Sequence, residues 1–150
     1  EGQFIPLETE RGYHIEFIKK QQLLSRPTSL VESGMYLTPL HNCLRAVGTV
    51  ELGGLHSHIS QARIDYIARD AKRLLPSLQD YQNPWLGYRP TLPDCLPVLG
   101  KSPKFKNIFY AFGHNHLGWT LGPTTGKLIT DLICDGREIN SVYSINRYLS

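Results

Sequence analysis

The run from Phe109 to Gly126 constrains this chain more than any other stretch. Four aromatic or small apolar residues, Phe109 to Phe112, read as a buried strand. A glycine-punctuated turn follows, and the spacing then predicts a helix from Leu121 to Cys134. Glycines at 113, 118, 122 and 126 let backbone approach a neighbour closely, and the helix start presents unpaired N–H groups. Such a turn suits a phosphate, a carboxylate or the electron-rich edge of a heterocycle that becomes anionic on reduction.

The chain has 150 residues, enough for a real core, with 41% apolar and 19% charged residues, as in ordinary globular proteins. The net charge is +3 and the basic residues are scattered, which argues against nucleic-acid binding. No apolar run approaches the roughly 18 residues of a membrane helix, and no signal-peptide pattern opens the chain. Three widely spaced cysteines, Cys43, Cys95 and Cys134, are expected to be reduced thiols of a cytoplasmic protein. The strand-like start without Met is expected to mark a piece of something longer.

Gly12 to Ile18 alternates and is rich in aromatic and β-branched residues, so it reads as a strand. Lys19 to Ser29 reads as a loop. Leu30–Pro39 and Leu44–Leu52 are expected to be strands joined around His41-Asn42-Cys43. Ser57 or Ser60 can cap a helix running to Leu75, with Ile59, Ile64, Ile67, Ala68, Ala71, Leu74 and Leu75 on its apolar face and Pro76 ending it. Four prolines from 84 to 97 suit edge or site-lining backbone. Gly136 can cap the last helix, and the tail from Ser141 can add a short one. The fold class is α+β, a mostly antiparallel sheet with two main helices.

Arg89 stands between Gly87 and Pro90 among aromatics. A guanidinium there can grip a carboxylate in two places, or form a structural ion pair. His114 and His116, like His56 and His58, are spaced as a His-x-His pair, but no Cys, Asp or Glu stands beside either, so no metal site is assigned. Side chains lining a turn, or touching a cofactor, remain the readings of His114 and His116. No cysteine has a base at recognisable spacing, and Cys134 is expected in the core. Gly118, Gly122 and Gly126 read as close helix packing, and Gly-x-Gly-x-x-Gly is absent.

Four motifs in order then carry a resemblance. They are Glu10 to His14, Leu44 to Glu51, Gly87 to Asp94 with Pro97 to Gly100, and Phe112 to Gly126. Together they resemble the D-amino-acid oxidase superfamily, most closely the bacterial FAD-dependent D-amino-acid dehydrogenases. The likeness is to the C-terminal portion of such enzymes, without the N-terminal FAD-binding strand, turn and helix. It implies a substrate-domain portion over residues 1–100 and the last strand and helix of the FAD domain over 101–150.

The resemblance implies that Arg89 pairs with the carboxylate of a D-amino acid and that Tyr13 or His14 lines its pocket. It implies that Gly48, Thr49 and the segment Gly113, His114, Asn115, His116, Leu117, Gly118, Trp119 and Thr120 contact the flavin. The reaction implied is hydride transfer from the substrate α-carbon to flavin, giving a 2-oxo acid and ammonia. The isolated chain is expected to bind no FAD, to be inactive without the N-terminal portion, and to self-associate through the uncovered face of its last helix. Its place is the cytoplasm, with peripheral contact to the inner membrane as the alternative. A non-catalytic remnant or interaction module is the second reading, and a hydrolase built on the histidine pairs the third.

Cys43 and Cys95 stand where relatives usually carry glycine. If either turn needs positive φ, a cysteine is expected to cost about 1–2 kcal/mol there, and two such changes suggest relaxed selection on the gene.

Overall fold

The computed structural model describes residues 4–18 and 23–148, which divide into two compact units, residues 11–88 and residues 1–10 with 89–150. These units follow contacts within the chain, whereas the expected division at residue 100 is one of role.

In the first unit a five-stranded sheet has the order β2-β3-β4-β1-β5, formed by Glu8–Ile18 (β1), Thr28–Leu30 (β2), Met35–Pro39 (β3), Cys43–Leu52 (β4) and Tyr81–Thr91 (β5). Strands β2 and β3, and β3 and β4, pair antiparallel, the latter with Tyr36 opposite Val47 and Pro39 opposite Leu44. Along β1, Arg11, Tyr13, Ile15 and Phe17 are all buried, the period-2 pattern of a strand with one covered face. The cover is the helix Gln61–Leu74 (α1), which buries Ile64, Ile67, Ala68 and Ala71 at helical spacing. These side chains form one core with Met35, Leu37, Leu44 and Ala46. Strand β5 lies at the sheet edge, where Pro84 and Pro90 remove no ladder bond that a central strand would need.

Several expectations need correction here. The strand expected over Leu30–Pro39 is broken by a 3-10 turn, Val31–Ser33, which left-handed Gly34 at φ 61° closes by donating its N–H to the Val31 carbonyl before β3 begins. Within the expected loop, residues 19–22 lie outside the described residues, and Thr28–Leu30 is strand. Ser60 precedes α1 but its side chain makes no capping bond, while the Ser57 hydroxyl donates to the Gly53 carbonyl. Ile59 and Leu74 are exposed.

The second unit contains the antiparallel pair Val98–Lys101 (β6) and Phe109–Phe112 (β7), then the helix Gly118–Asp135 (α2). Its core joins Leu92, Val98 and Ile145, with Ile5, Tyr110, Phe112 and Tyr148 packed around them. Strand β7 is half-buried rather than buried. Helix α2 begins three residues earlier than expected, because the 3-10 turn Asn115–Leu117 feeds directly into it, so Pro123 falls in its interior. Gly136, at φ 67°, ends it as expected. Cys134 is exposed, not core, and a Cβ at Gly122 or Gly126 would meet open space, so close packing within this chain does not explain those glycines. The tail forms two short 3-10 turns, Ser141–Tyr143 and Ile145–Tyr148, with residues 149–150 outside the described set.

The two cysteines at glycine positions differ. Cys95 takes φ 58°, in a turn closed by its own N–H donating to the Leu92 carbonyl at 2.9 Å. Cys43 has no positive φ. It opens β4, and neither His41 nor Asn42 is left-handed, so this turn makes no demand for positive φ. The pair therefore separates by substitution. Cys95→Gly is expected to raise the thermal midpoint, relieving left-handed strain worth about 1 kcal/mol, whereas Cys43→Gly lowers it by adding chain entropy to a strand end. Equal shifts in calorimetry would contradict this assignment.

Candidate functional site

In the unit of residues 11–88, the face of the sheet that covers α1 is organised around a charge. Arg11 occupies a core-facing position of β1 and its side chain is fully buried. A guanidinium cannot shed its proton, so it must find acceptors. Its Nη2 donates to the His58 carbonyl at 2.6 Å, and its Nε lies 3.4 Å from Glu51. The same carboxylate accepts the Tyr13 hydroxyl at 2.5 Å and lies 3.4 Å from Arg63 Nε. The Tyr13 bond, with Arg11 and Arg63 beside it, holds the Glu51 carboxyl below the usual range, and burial pushes the Tyr13 phenol up. Tyr13 is thus a core residue with an occupied hydroxyl.

His14 points to the opposite side of the strand, as alternation requires. Its ring stacks on Trp85 with centroids 4.8 Å apart and planes 18° from parallel. Trp85 in turn lies across Gly87, where a Cβ would sit 2.0 Å from the indole. Nearby on that face Glu16 accepts Asn83 Nδ2 at 2.9 Å and Arg45 Nη2 at 2.7 Å. Burial, then the Arg45 charge, lowers the His14 pKa, keeping the imidazole neutral around pH 7.

Gly48 is buried, and Thr49 takes φ 63°, a genuine outlier for a β-branched residue. The Thr49 hydroxyl is buried and has no hydrogen-bond partner among the described residues. Thr49 also lines an open cleft with Glu51, Ser60, Ala62, Arg63 and Tyr66, at the N-terminal end of α1.

The unit of residues 89–150 holds the other candidate residues. Arg89 is half-buried near the end of β5, and its guanidinium has no hydrogen bond or ion pair among the described residues. Leu92, three residues on, is buried against Gly113, where a Cβ would lie 2.7 Å from Leu92 Cδ1. Gly113 has φ 81°, so it needs glycine for both conformation and space. That contact brings the turn after Arg89 against the turn before α2.

His114 Nε2 lies 2.9 Å from Thr125 Oγ1, and burial lowers its pKa. Asn115, at φ 56°, turns its Oδ1 onto the N–H of His116 at 2.6 Å, a conformation asparagine tolerates. Leu117 places no side-chain cap on α2, the first turn carries no acidic residue, and Trp119 is 98% exposed. An 18-residue helix therefore starts without a side-chain cap or a first-turn carboxylate, leaving the positive end of its dipole uncompensated by either. Among the described residues no cluster of three or more His, Cys, Asp and Glu side chains is placed to hold a metal.

Sequence reasoning missed the Arg11–Glu51–Arg63 network and the role of Leu92. A signal for the first existed: an arginine on the core-facing register of an alternating strand requires a buried acceptor. None marked Leu92, since the space it fills is visible only in three dimensions.

The family model described as DAO, FAD dependent oxidoreductase, matches residues 1–132. The chain belongs to this family. A D-amino-acid oxidase from Bradyrhizobium diazoefficiens is 34% identical over 138 residues, covering 88% of this chain and 32% of the relative. A D-amino acid dehydrogenase from Paramagnetospirillum magneticum is 36% identical over 136 residues, covering 88% and 32%. The glycine oxidase structure from Geobacillus kaustophilus superposes with a TM-score of 0.84 over 99% of this chain and 41% of that one, at 24% identity, which shows the shared fold. The chain thus spans about a third of the length of the curated relatives it matches. The family is FAD-dependent, and no helix among the described residues is long and apolar enough to cross a membrane.

Thr49 offers a direct check on the strain. Thr49→Gly is expected to stabilise the chain by about 1 kcal/mol, since left-handed strain and a buried unpaired hydroxyl are both removed at the smaller expense of a glycine in a strand. A chemical melt showing clear destabilisation would mean that the threonine side chain carries packing that outweighs its strain.

Proposed function

We propose that this chain is the substrate-gripping and flavin-edge portion of an FAD-dependent enzyme that oxidises D-amino acids to 2-oxo acids and ammonia. The observation that carries the reading is Arg89. It is a half-buried guanidinium with no hydrogen bond or ion pair among the described residues, set between Gly87 and Pro90 and so left open to an incoming anion. In this reading its two N–H forks take the substrate carboxylate and fix the amino acid's orientation.

The turn from Gly113 to Thr120 suits the electron-rich edge of an isoalloxazine. Gly113 holds a left-handed turn, no carboxylate competes in the first turn of α2, and the N–H groups there stabilise negative charge. FAD, when bound, supplies the acceptor for the hydride leaving the substrate α-carbon. His114, Asn115, His116, Leu117, Gly118 and Trp119 would hold that edge. In the unit of residues 11–88, Gly48 and Thr49 are separate candidates for flavin contact, and the Thr49 hydroxyl is buried without a hydrogen bond among the described residues. His14, neutral and stacked on Trp85, is the better pocket candidate of the β1 pair, because the Tyr13 hydroxyl is committed to Glu51. Protein acid–base chemistry is not required of these residues. Their task is to place the α-carbon with the amine neutral.

The adenosine and diphosphate need a dinucleotide fingerprint, and the 150 residues contain no Gly-x-Gly-x-x-Gly. We therefore infer that the activity requires an N-terminal portion, that the 150-residue chain by itself holds no FAD, and that its exposed α2 face leads to self-association. That Cys43, Cys95 and Cys134 form no disulfide with one another agrees with the cytoplasmic setting inferred for the chain.

Arg89 is the deciding substitution. In the flavin-loaded protein, meaning this chain together with the N-terminal portion that holds FAD, Arg89→Met is expected to lower kcat/KM for a D-amino acid through KM, by a factor equivalent to about 2–4 kcal/mol, with flavin content unchanged. An unchanged KM would remove the basis of the proposal.

A further inference from the structure

The turn that follows Arg89 is held from the far end of the chain. Ser144 to Arg147 lies outside residues 1–132 that match the family, yet it closes on Leu92 to Leu96. Ile145 is 1% exposed and packs in one cluster with Leu92 and Val98. Arg147 Nε donates to Asp94 Oδ2 at 2.7 Å, and Nη2 donates to the Leu96 carbonyl at 2.8 Å and more weakly to Asp94 Oδ1 at 3.4 Å. Its Nη1 donates to the Ser144 carbonyl at 3.1 Å, and the guanidinium lies 4.5 Å from the Tyr148 ring centroid. Asp94 Oδ1 also accepts the Leu96 N–H at 3.1 Å, which closes the turn on itself.

This arrangement is more than a surface ion pair. The Arg147 side chain is 16% exposed, two backbone carbonyls are among its acceptors, and an arginine fork held at both ends loses little further freedom. The turn it grips carries Cys95 in a left-handed conformation and Leu92 against Gly113. Those contacts run from the strand end bearing Arg89 to the turn preceding α2.

We propose that Asp94 and Arg147 form a positioning clasp that fixes the Leu92–Leu96 turn and thereby holds Arg89 in register for its substrate carboxylate. The inference rests on the role proposed for Arg89 and assigns the C-terminal segment a part in substrate binding. Burial raises the Asp94 carboxyl, but Arg147, Tyr148 and the Leu96 N–H together outweigh it and bring the group to about 2, so Asp94 is ionised at neutral pH.

Two readouts test it, with Arg147→Gln, Arg147→Lys and Asp94→Asn. In Arg147→Gln, hydrogen exchange at the amides of Leu92, Asp94, Cys95, Leu96 and Gly113 is expected to rise about tenfold, while α1 amides are unchanged. In the flavin-loaded protein with D-alanine as the probe, KM is expected to rise about five- to tenfold with kcat and flavin content retained. Arg147→Lys, which keeps the charge without the fork, recovers part of both effects. Asp94→Asn keeps the side-chain shape and gives the same pattern should Arg147→Gln unfold the segment. Unchanged exchange at 92–96 overturns the clasp. Faster exchange with unchanged KM overturns its positioning of Arg89. If the unsubstituted protein oxidises no D-amino acid, the functional reading fails, and the clasp then stands or falls on exchange alone.

Discussion

The contact between Leu92 and the bare backbone of Gly113 is the constraint on which the function-bearing part of residues 89–150 depends. A Cβ at residue 113 would lie 2.7 Å from Leu92 Cδ1, well inside ordinary contact. Gly113 also needs positive φ to turn from β7 into His114. Space and conformation therefore select the same residue, and the result ties two turns together. One follows Arg89, the other precedes an uncapped helix. Ile145 and the Asp94–Arg147 pair support this junction from behind.

A different interaction organises residues 11–88. Glu51 sits among Tyr13, Arg11 and Arg63, and its bonds answer a guanidinium that the strand places in the core. A buried charge of this kind is tolerated only with acceptors close by, and losing the carboxylate would leave Arg11 with the His58 carbonyl alone. The network fixes the end of β4 just beyond Thr49. Strain at Thr49 persists because this surrounding structure holds it.

Much of the fold was legible in the sequence because its signals are periodic. The alternation of Tyr13, Ile15 and Phe17 and the spacing of Ile64, Ile67, Ala68 and Ala71 give the sheet and its covering helix directly. The prolines of β5 place it at an edge. What the pattern could not supply was burial set by partners distant in sequence. Apolar composition made Phe109–Phe112 and Cys134 read as core, but the described residues cover the strand only in part and leave Cys134 exposed. For the same reason Gly122 and Gly126 face open space. The left-handed state of Cys95 was legible as a glycine position, whereas the turn before Cys43 takes a right-handed path that no local signal distinguished. The family itself was legible from four motifs in order, and its model matches residues 1–132.

In the proposed function, Arg89 and the α2 turn serve one reaction at a flavin. Anaerobic mixing of the flavin-loaded protein with D-alanine or L-alanine, followed by the visible absorbance of the flavin, tests this most directly. Loss of the oxidised-flavin band with the D-enantiomer alone, together with release of pyruvate, is the predicted result. A band that persists with D-amino acids of every side-chain class, or that bleaches equally with both enantiomers, would contradict it.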